Sequence, residues 1–323
     1  LLAVDGSHVQ IPSNIHDKAT HFNSTKDGRG YNLLHLNALY DLENQLYLDA
    51  VIQNGREEHE SRALVELVDR SRLKEPVIMI ADRGYEAYNN IAHIEQKNWN
   101  YLIRAKEKRG ILSGLKLPDT PEFDVAFSYF LSKRLTNRIR REPQKYRWIP
   151  SKVRFDYIKN ASDALYPISF RVVRFAVKDG LYETVITNLP ADRFPPPLLC
   201  ALYHNRWGVE TSFQDLKHTL ALTHFHAKKR PFIEQEIFAK MTLYNFASLI
   251  RLHAVFKQPE SRHLYRINAA FATHIAREFL LGFVPAAIVE PLIAKFLLPV
   301  RPGLQKPRNM RVKRPASFQY RMI

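Results

Sequence analysis

Cysteine is almost absent from this chain of 323 residues: Cys200 stands alone. A lone thiol cannot close an internal disulfide, so a disulfide-stapled secreted domain is excluded and a reducing compartment is expected. Acids are scarce relative to bases, with 48 Lys plus Arg against 32 Asp plus Glu and a formal net charge of +16. That imbalance says nothing about fold, but it predicts attraction to a polyanion, of which nucleic acid is the commonest. A long uninterrupted apolar run is missing too. The nearest approach, Phe279 to Val300, is broken by Pro285, Pro291 and Pro299 and carries Glu290 and Lys295, which argues against a membrane span. No internal repeat is visible.

What is present is an ordinary globular balance, 46% hydrophobic and 25% charged, which rules out wholesale disorder. At roughly 150 residues per domain the length predicts about two domains. The opening Leu1-Leu2-Ala3-Val4-Asp5 reads as a strand rather than a signal peptide, and predicts a further N-terminal portion. From 1 to 106 the pattern predicts strands over Leu1–Ile11, Leu33–Tyr40 and Leu46–Gln53, the last two joined by a turn at Asp41-Leu42-Glu43-Asn44. A helix follows over His59–Leu73, with Ala63, Leu64, Leu67 and Val68 at helical spacing. The apolar run Pro76–Ala81 reads as a buried central strand that delivers Asp82 at its carboxyl end. A helix (Ala87–Lys97) and a strand (Tyr101–Ala105) complete one mixed α/β sheet.

Residues 107–195 change character. Lys133 to Lys159 holds ten basic residues against Glu142 and Asp156 alone. Strands are expected over Val153–Tyr157, Ile168–Val177 and Tyr182–Thr187, with a hairpin turn at Lys178-Asp179-Gly180. After Pro195-Pro196-Pro197 helices resume and dominate to about 297, including Arg266–Leu281 and Pro285–Leu298, which either pack on a second subunit or finish the core. From Pro299 onward there are seven Lys or Arg and no acid. That stretch reads as an extended basic tail, following phosphates or simply solvated.

Three carboxylates draw attention. On a helix at about 100° per residue, Arg206, Glu210 and Lys217 fall at roughly 300°, 340° and 320° from Tyr203, a single narrow stripe, whereas Asp215 falls at about 120°. The plainer explanation of the stripe is an i,i+4 ion pair between Arg206 and Glu210. Asp82 sits where α/β sheets present catalytic side chains, or else caps the next turn. Asp5, inside an apolar strand, must be paired, protonated or metal-bound if it is buried; on an edge strand it would face water. Asp17, Asp41 and Asp49 lie near turns and rank lower. Three such carboxylates can converge on two divalent ions, and oxygen-only ligands suit Mg²⁺ or Mn²⁺. His218, His224 and His226 have irregular spacing and no nearby cysteine, and read as ordinary surface or DNA-facing side chains.

The spacing Y-x2-R-x3-E-x6-K, met by Tyr203, Arg206, Glu210 and Lys217, resembles the third catalytic motif of the insertion-sequence type four DDE transposases. Asp82-Arg83-Gly84-Tyr85 is similar to that family's second motif and Val4-Asp5-Gly6-Ser7 to its first. The resemblance covers roughly residues 1–255. It implies a ribonuclease-H-like α/β core over 1–106 and 196–255, a basic β-rich insertion over 107–195, and a helical C-terminal region with a basic tail over 256–323. It also implies that Asp5, Asp82 and Glu210 hold two Mg²⁺ ions, for which Mn²⁺ can substitute, while Tyr203, Arg206 and Lys217 contact DNA. The implied reaction is hydrolysis at transposon ends followed by attack of the 3′-hydroxyl on target DNA, with a dimer formed on DNA in a bacterial, nucleoid-associated setting in the cytoplasm. Trp148 is the candidate for stacking on a flipped base in a hairpin route, or it packs on the insertion's own sheet. The family's N-terminal end-binding helical domain has no counterpart in this sequence, which implies a fragment or a truncated copy. Two other readings stand beside this one: a catalytically inactive, truncated transposase-like protein that binds DNA, and a ribonuclease-H-like nuclease that cuts without joining.

Overall fold

The strand-forming segments are short apolar runs that a helix period does not fit, and they assemble into one mixed sheet. A computed structural model describes residues 1–23, 30–107, 109–178 and 180–300. The first strands are β1 (Leu2–Ile11), β2 (His21–Phe22), β3 (Tyr31–Asp41) and β4 (Leu46–Asn54), followed by helix α1 (Glu60–Arg70), β5 (Ile78–Ala81), α2 (Tyr88–Gln96) and β6 (Asn100–Arg104). Next come β7 (Phe123–Ser132), α3 (Asn137–Arg141), β8 (Tyr146–Trp148), β9 (Leu165–Lys178) and β10 (Leu181–Thr187). The remainder is α4 (Pro196–His204), α5 (Trp207–His218), α6 (Arg230–His253), β11 (Tyr265–Ile267), α7 (Ala269–Leu280), α8 (Ala286–Lys295) and β12 (Leu297–Pro299). The strand order is β2-β3-β1-β5-β6-β10-β9-β7-β8, with β4 also paired to β3. This is a mixed α/β sheet, parallel at its centre and antiparallel from β6 to β7.

Two compact units divide the chain, each described by itself. The first comprises residues 1–5, 37–39 and 59–207. Its centre is β1, β5 and β6, mutually parallel. Met79, Ile80 and Ala81 of β5 and Tyr101, Leu102 and Ile103 of β6 are wholly buried, as strands covered on both faces require. Helix α1 buries the expected Ala63, Leu64, Leu67 and Val68 but stops at Arg70, three residues before Leu73. Beyond β6 the sheet continues antiparallel through β10, β9 and β7, so the strands of the basic segment extend the same sheet. At the tip of the β9–β10 hairpin, Gly180 takes φ +74°, a value that favours glycine; Asp179 lies outside the described residues.

One expectation fails here, and one long strand is unexpected. Val153–Tyr157 is not a strand but part of a run of turns. Its period-two pattern has a different cause: Phe155 is buried, while Asp156 is held by Asn89, His93 and Arg154. The strand that the pattern concealed is β7, whose alternating Phe123, Val125 and Phe127 are only half-buried.

The second unit comprises residues 6–36, 40–58 and 208–300 of the described chain. Its helices α5 and α6 meet the β3–β4 hairpin through a polar-aromatic cluster: Tyr40 and Tyr244 share a 2.8 Å hydrogen bond, and Tyr47 and Ser212 one of 2.6 Å. Helices α7 and α8 close a separate small core of Ile267, Ala272, Ile275, Val289 and Ile293. They are shorter than expected, because Tyr265–Ile267 and Leu297–Pro299 pair as an antiparallel ribbon. The basic tail, Arg301–Arg321, lies outside the described residues. Among the described residues no helix is long and apolar enough to cross a membrane.

Burial pushes the Glu95 carboxyl of α2 up to about 7. A carboxyl whose folded pKa exceeds its unfolded value of about 4.3 makes stability fall as pH rises between those values. Glu95→Gln is therefore expected to gain melting temperature over the parent at pH 8 and none at pH 4, read from thermal melts at the two values.

Candidate active site

Register brings the first two carboxylates together. Strands β1 and β5 pair in parallel with Leu2 opposite Met79, Ala3 opposite Ile80 and Val4 opposite Ala81. Asp5 and Asp82 are the next residues of this series, and the backbone of Asp82 is still extended (φ −76°, ψ 169°). Because side chains alternate along a strand, residues in register point to the same side of the sheet. Asp5, partway along β1, and Asp82, directly after β5, thus both follow the last paired positions of these two neighbouring parallel strands.

Asp82 does not use its side chain to cap the single 3-10 turn Arg83–Tyr85 that follows it, which leaves the carboxylate available. The Tyr203 hydroxyl lies 3.5 Å from its Oδ1. Arg206, almost entirely buried, brings Nη1 to 3.8 Å from Asp5 Oδ2 and stacks its guanidinium over the Trp207 ring at 4.9 Å. Burial raises the Tyr203 phenol above its ordinary range, against the opposing pull of Arg206, so Tyr203 remains a neutral hydrogen-bond donor.

Two further side chains stand here: Tyr85, the last residue of the Asp82-Arg83-Gly84-Tyr85 motif, and Glu60, which has no signature in the sequence. The Tyr85 hydroxyl is buried with no hydrogen-bond partner, and its pKa is raised first by burial and then by the charges of Glu60, Asp5 and Asp82. Glu60 also closes over the turn: a Cβ at Gly84 would meet its Oε2 at 2.4 Å, so a side chain at position 84 would displace the Glu60 carboxylate. Nothing in the spacing of Glu60 points to this; it follows from how α1 packs on the turn after β5.

The stripe over 203–217 is corrected. The chain is not one helix there, because Asn205 and Arg206 form a turn between α4 and α5 closed by three-residue hydrogen bonds, Asn205 N–H to Leu202 and Arg206 N–H to Tyr203. Tyr203 and Arg206 belong to the first unit. Glu210 and Lys217, seven residues apart on α5, belong to the second. Lys217 donates to Ser7 Oγ at 2.7 Å, and burial lowers its pKa. Trp148 ends the edge strand β8, opposite Ser132, and is 45% exposed.

Beside the Asp82 turn lies an open cleft of about 570 Å³ lined by Arg83, Arg104, Lys106 and Arg109, with Glu107 and Glu183 also on its walls. Four cations in one groove suit an anionic polymer.

The model of the transposase DDE domain matches residues 1–246. The chain belongs to that family. Asp5, Asp82 and Glu210 all fall inside this DDE domain match. Among solved structures, the cryo-EM structure of a piggyBac transposase synaptic complex with hairpin DNA is similar at 8% identity and a TM-score of 0.47. The likeness covers 96% of this chain, which spans 60% of the length of that one. No curated protein matches the chain. DDE transposase domains generally use divalent metal ions, and the in-register Asp pair offers the hard oxygen donors such ions take.

Proposed function

We propose that this DDE domain is the catalytic region of an insertion-sequence type four transposase, cutting transposon ends and joining their 3′-hydroxyls to target DNA. The observation that carries the reading is the in-register pair Asp5 and Asp82 with Arg206 and Tyr203 against them. Asp5, Asp82 and, by its place in the motif, Glu210 would hold Mg²⁺ or Mn²⁺. Such ions, when bound, activate a water or a 3′-hydroxyl and stabilise the leaving oxygen. The chain's own residues do the rest. Arg206 and Lys217 bring positive charge to phosphate, and the neutral Tyr203 hydroxyl donates to a phosphate oxygen. The exposed Trp148 indole is placed to stack on an unpaired base, and a dimer is the expected working state on DNA.

The test uses the full chain with Mn²⁺ and supercoiled plasmid, plus a 3′-hydroxyl oligonucleotide duplex as donor. Nicking together with oligonucleotide joining supports the transposase. Nicking without joining favours a nuclease, and binding without nicking favours the inactive DNA-binding protein. The basic cleft makes a separate prediction. Arg104→Glu and Arg109→Glu are each expected to weaken duplex binding at 100 mM salt. The plot of log affinity against log salt should also flatten by about 1 for each phosphate no longer neutralised.

A further inference from the structure

A second cluster with ligand chemistry, made of residues other than the DDE carboxylates, lies within the second unit. His8 on β1, His35 on β3 and Glu58, just beyond β4, each offer one donor atom, and these atoms all lie within 4.8 Å of one another. We propose that His8, His35 and Glu58 form a binding site for a transition-metal cation, with Zn²⁺ the best match, that clips β1, β3 and the segment after β4 together.

The donor set argues for the metal. Two imidazoles and one carboxylate are borderline ligands that suit Zn²⁺, whereas Mg²⁺ takes oxygen alone. Three protein ligands leave the fourth tetrahedral position to water. The geometry is close to, but not at, that of a filled site. Zinc bonds of about 2.0–2.1 Å put neighbouring tetrahedral donors roughly 3.3 Å apart. The His8 Nε2 to Glu58 Oε2 distance is 2.5 Å, a hydrogen bond that a cation would replace by entering between the two. Both of these side chains are between two-fifths and one-half exposed, so they can adjust by rotation.

His35 is the fixed member. It is buried, its ring centroid lies 5.0 Å from that of His8, and the Gln53 side chain hydrogen-bonds it. A hydrogen bond of this kind orients a ligating imidazole and selects its tautomer. Lys217 opposes a cation nearby, but the Glu58 charge acts on His35 more strongly. The ligands lie 27 and 23 residues apart in sequence, so no local spacing announces them.

The experiment is competition of the full chain with a chromogenic chelator for Zn²⁺, together with the visible spectrum on Co²⁺ substitution. One equivalent of tightly held Zn²⁺ is expected, a tetrahedral Co²⁺ absorption band, and a melting temperature that rises with added Zn²⁺ but not with Mg²⁺. His8→Ala and Glu58→Gln, both at exposed positions, should each weaken Zn²⁺ on the order of a hundredfold, while Asp82→Asn should leave it unchanged. Absence of stoichiometric Zn²⁺ binding in the parent chain overturns the proposal. So does undiminished binding in both exposed variants, or a loss caused equally by Asp82→Asn.

Discussion

Asp82→Asn is expected to lower the Mn²⁺-dependent nicking rate on the order of a thousandfold, about 4 kcal/mol of transition-state stabilisation, while leaving the fold at least as stable. The two halves of this expectation have one cause. Asp5 and Asp82 hold like charges in register on adjacent strands, an arrangement that suits a cation and is repulsive without one. Replacing one carboxylate by the isosteric amide removes the repulsion together with the ligand. Nicking assays in Mn²⁺ and thermal melts in chelator separate the effects. An Asp82→Asn protein that still nicks at the parental rate removes Asp82 from the chemistry, and one that melts well below the parent shows that the carboxylate is structural.

Arg171→Ala is the substitution expected to damage the fold most. Arg171 is buried in β9 and pairs through two nitrogens with the Asp124 carboxylate of β7. It also donates to the carbonyls of Leu189 at 2.6 Å and Phe194 at 3.3 Å. Asp124 keeps access to water, so the larger part of the loss is the Leu189 and Phe194 carbonyls left without their donor, about 1–3 kcal/mol. For a chain of this size that corresponds to a melting-temperature fall on the order of 2–6 °C. The carbonyls belong to the segment leading into α4, which carries Tyr203, so limited proteolysis near 189–195 should also accelerate. A double change, Arg171→Met with Asp124→Leu, should recover part of the loss, since no charge is then left alone. If Arg171→Ala melts with the parent, the pair contributes no net stability.

Much of the architecture is legible in the sequence because it rests on period and punctuation. The runs over 1–11, 33–53 and 76–105 announce β1, β3 to β6 and their helices, since a strand buried on both faces can be little else than a short apolar run. Strand β7 is hidden because Phe123, Val125 and Phe127 alternate with Asp124, Ala126 and Ser128 at a half-exposed surface, where the apolar contrast is low. Val153–Tyr157 misleads for the converse reason, an alternating pattern in a segment fixed by side-chain hydrogen bonds. At the candidate site, Asp5 and Asp82 stand out from their positions in apolar strands. Arg206 stands out by spacing, yet a continuous helix misplaces it, because no proline or glycine marks the turn at Asn205. Glu60 and the His8–His35–Glu58 cluster are out of reach of the sequence, since each depends on packing between segments distant in the chain.

The pairing of β1 with β5 bears on how this chain can change by insertion and deletion. The exposed connection over 71–76 and other surface loops between Asp5 and Asp82 can lengthen or shorten without disturbing either carboxylate. A single residue gained or lost inside Leu2–Val4 or Ile78–Ala81 would instead turn one of them to the opposite side. Divergent copies should therefore tolerate length variation in those surface loops but not in those few positions, and are better matched by aligning the Val4 and Ala81 pair than by the gap that separates the two carboxylates.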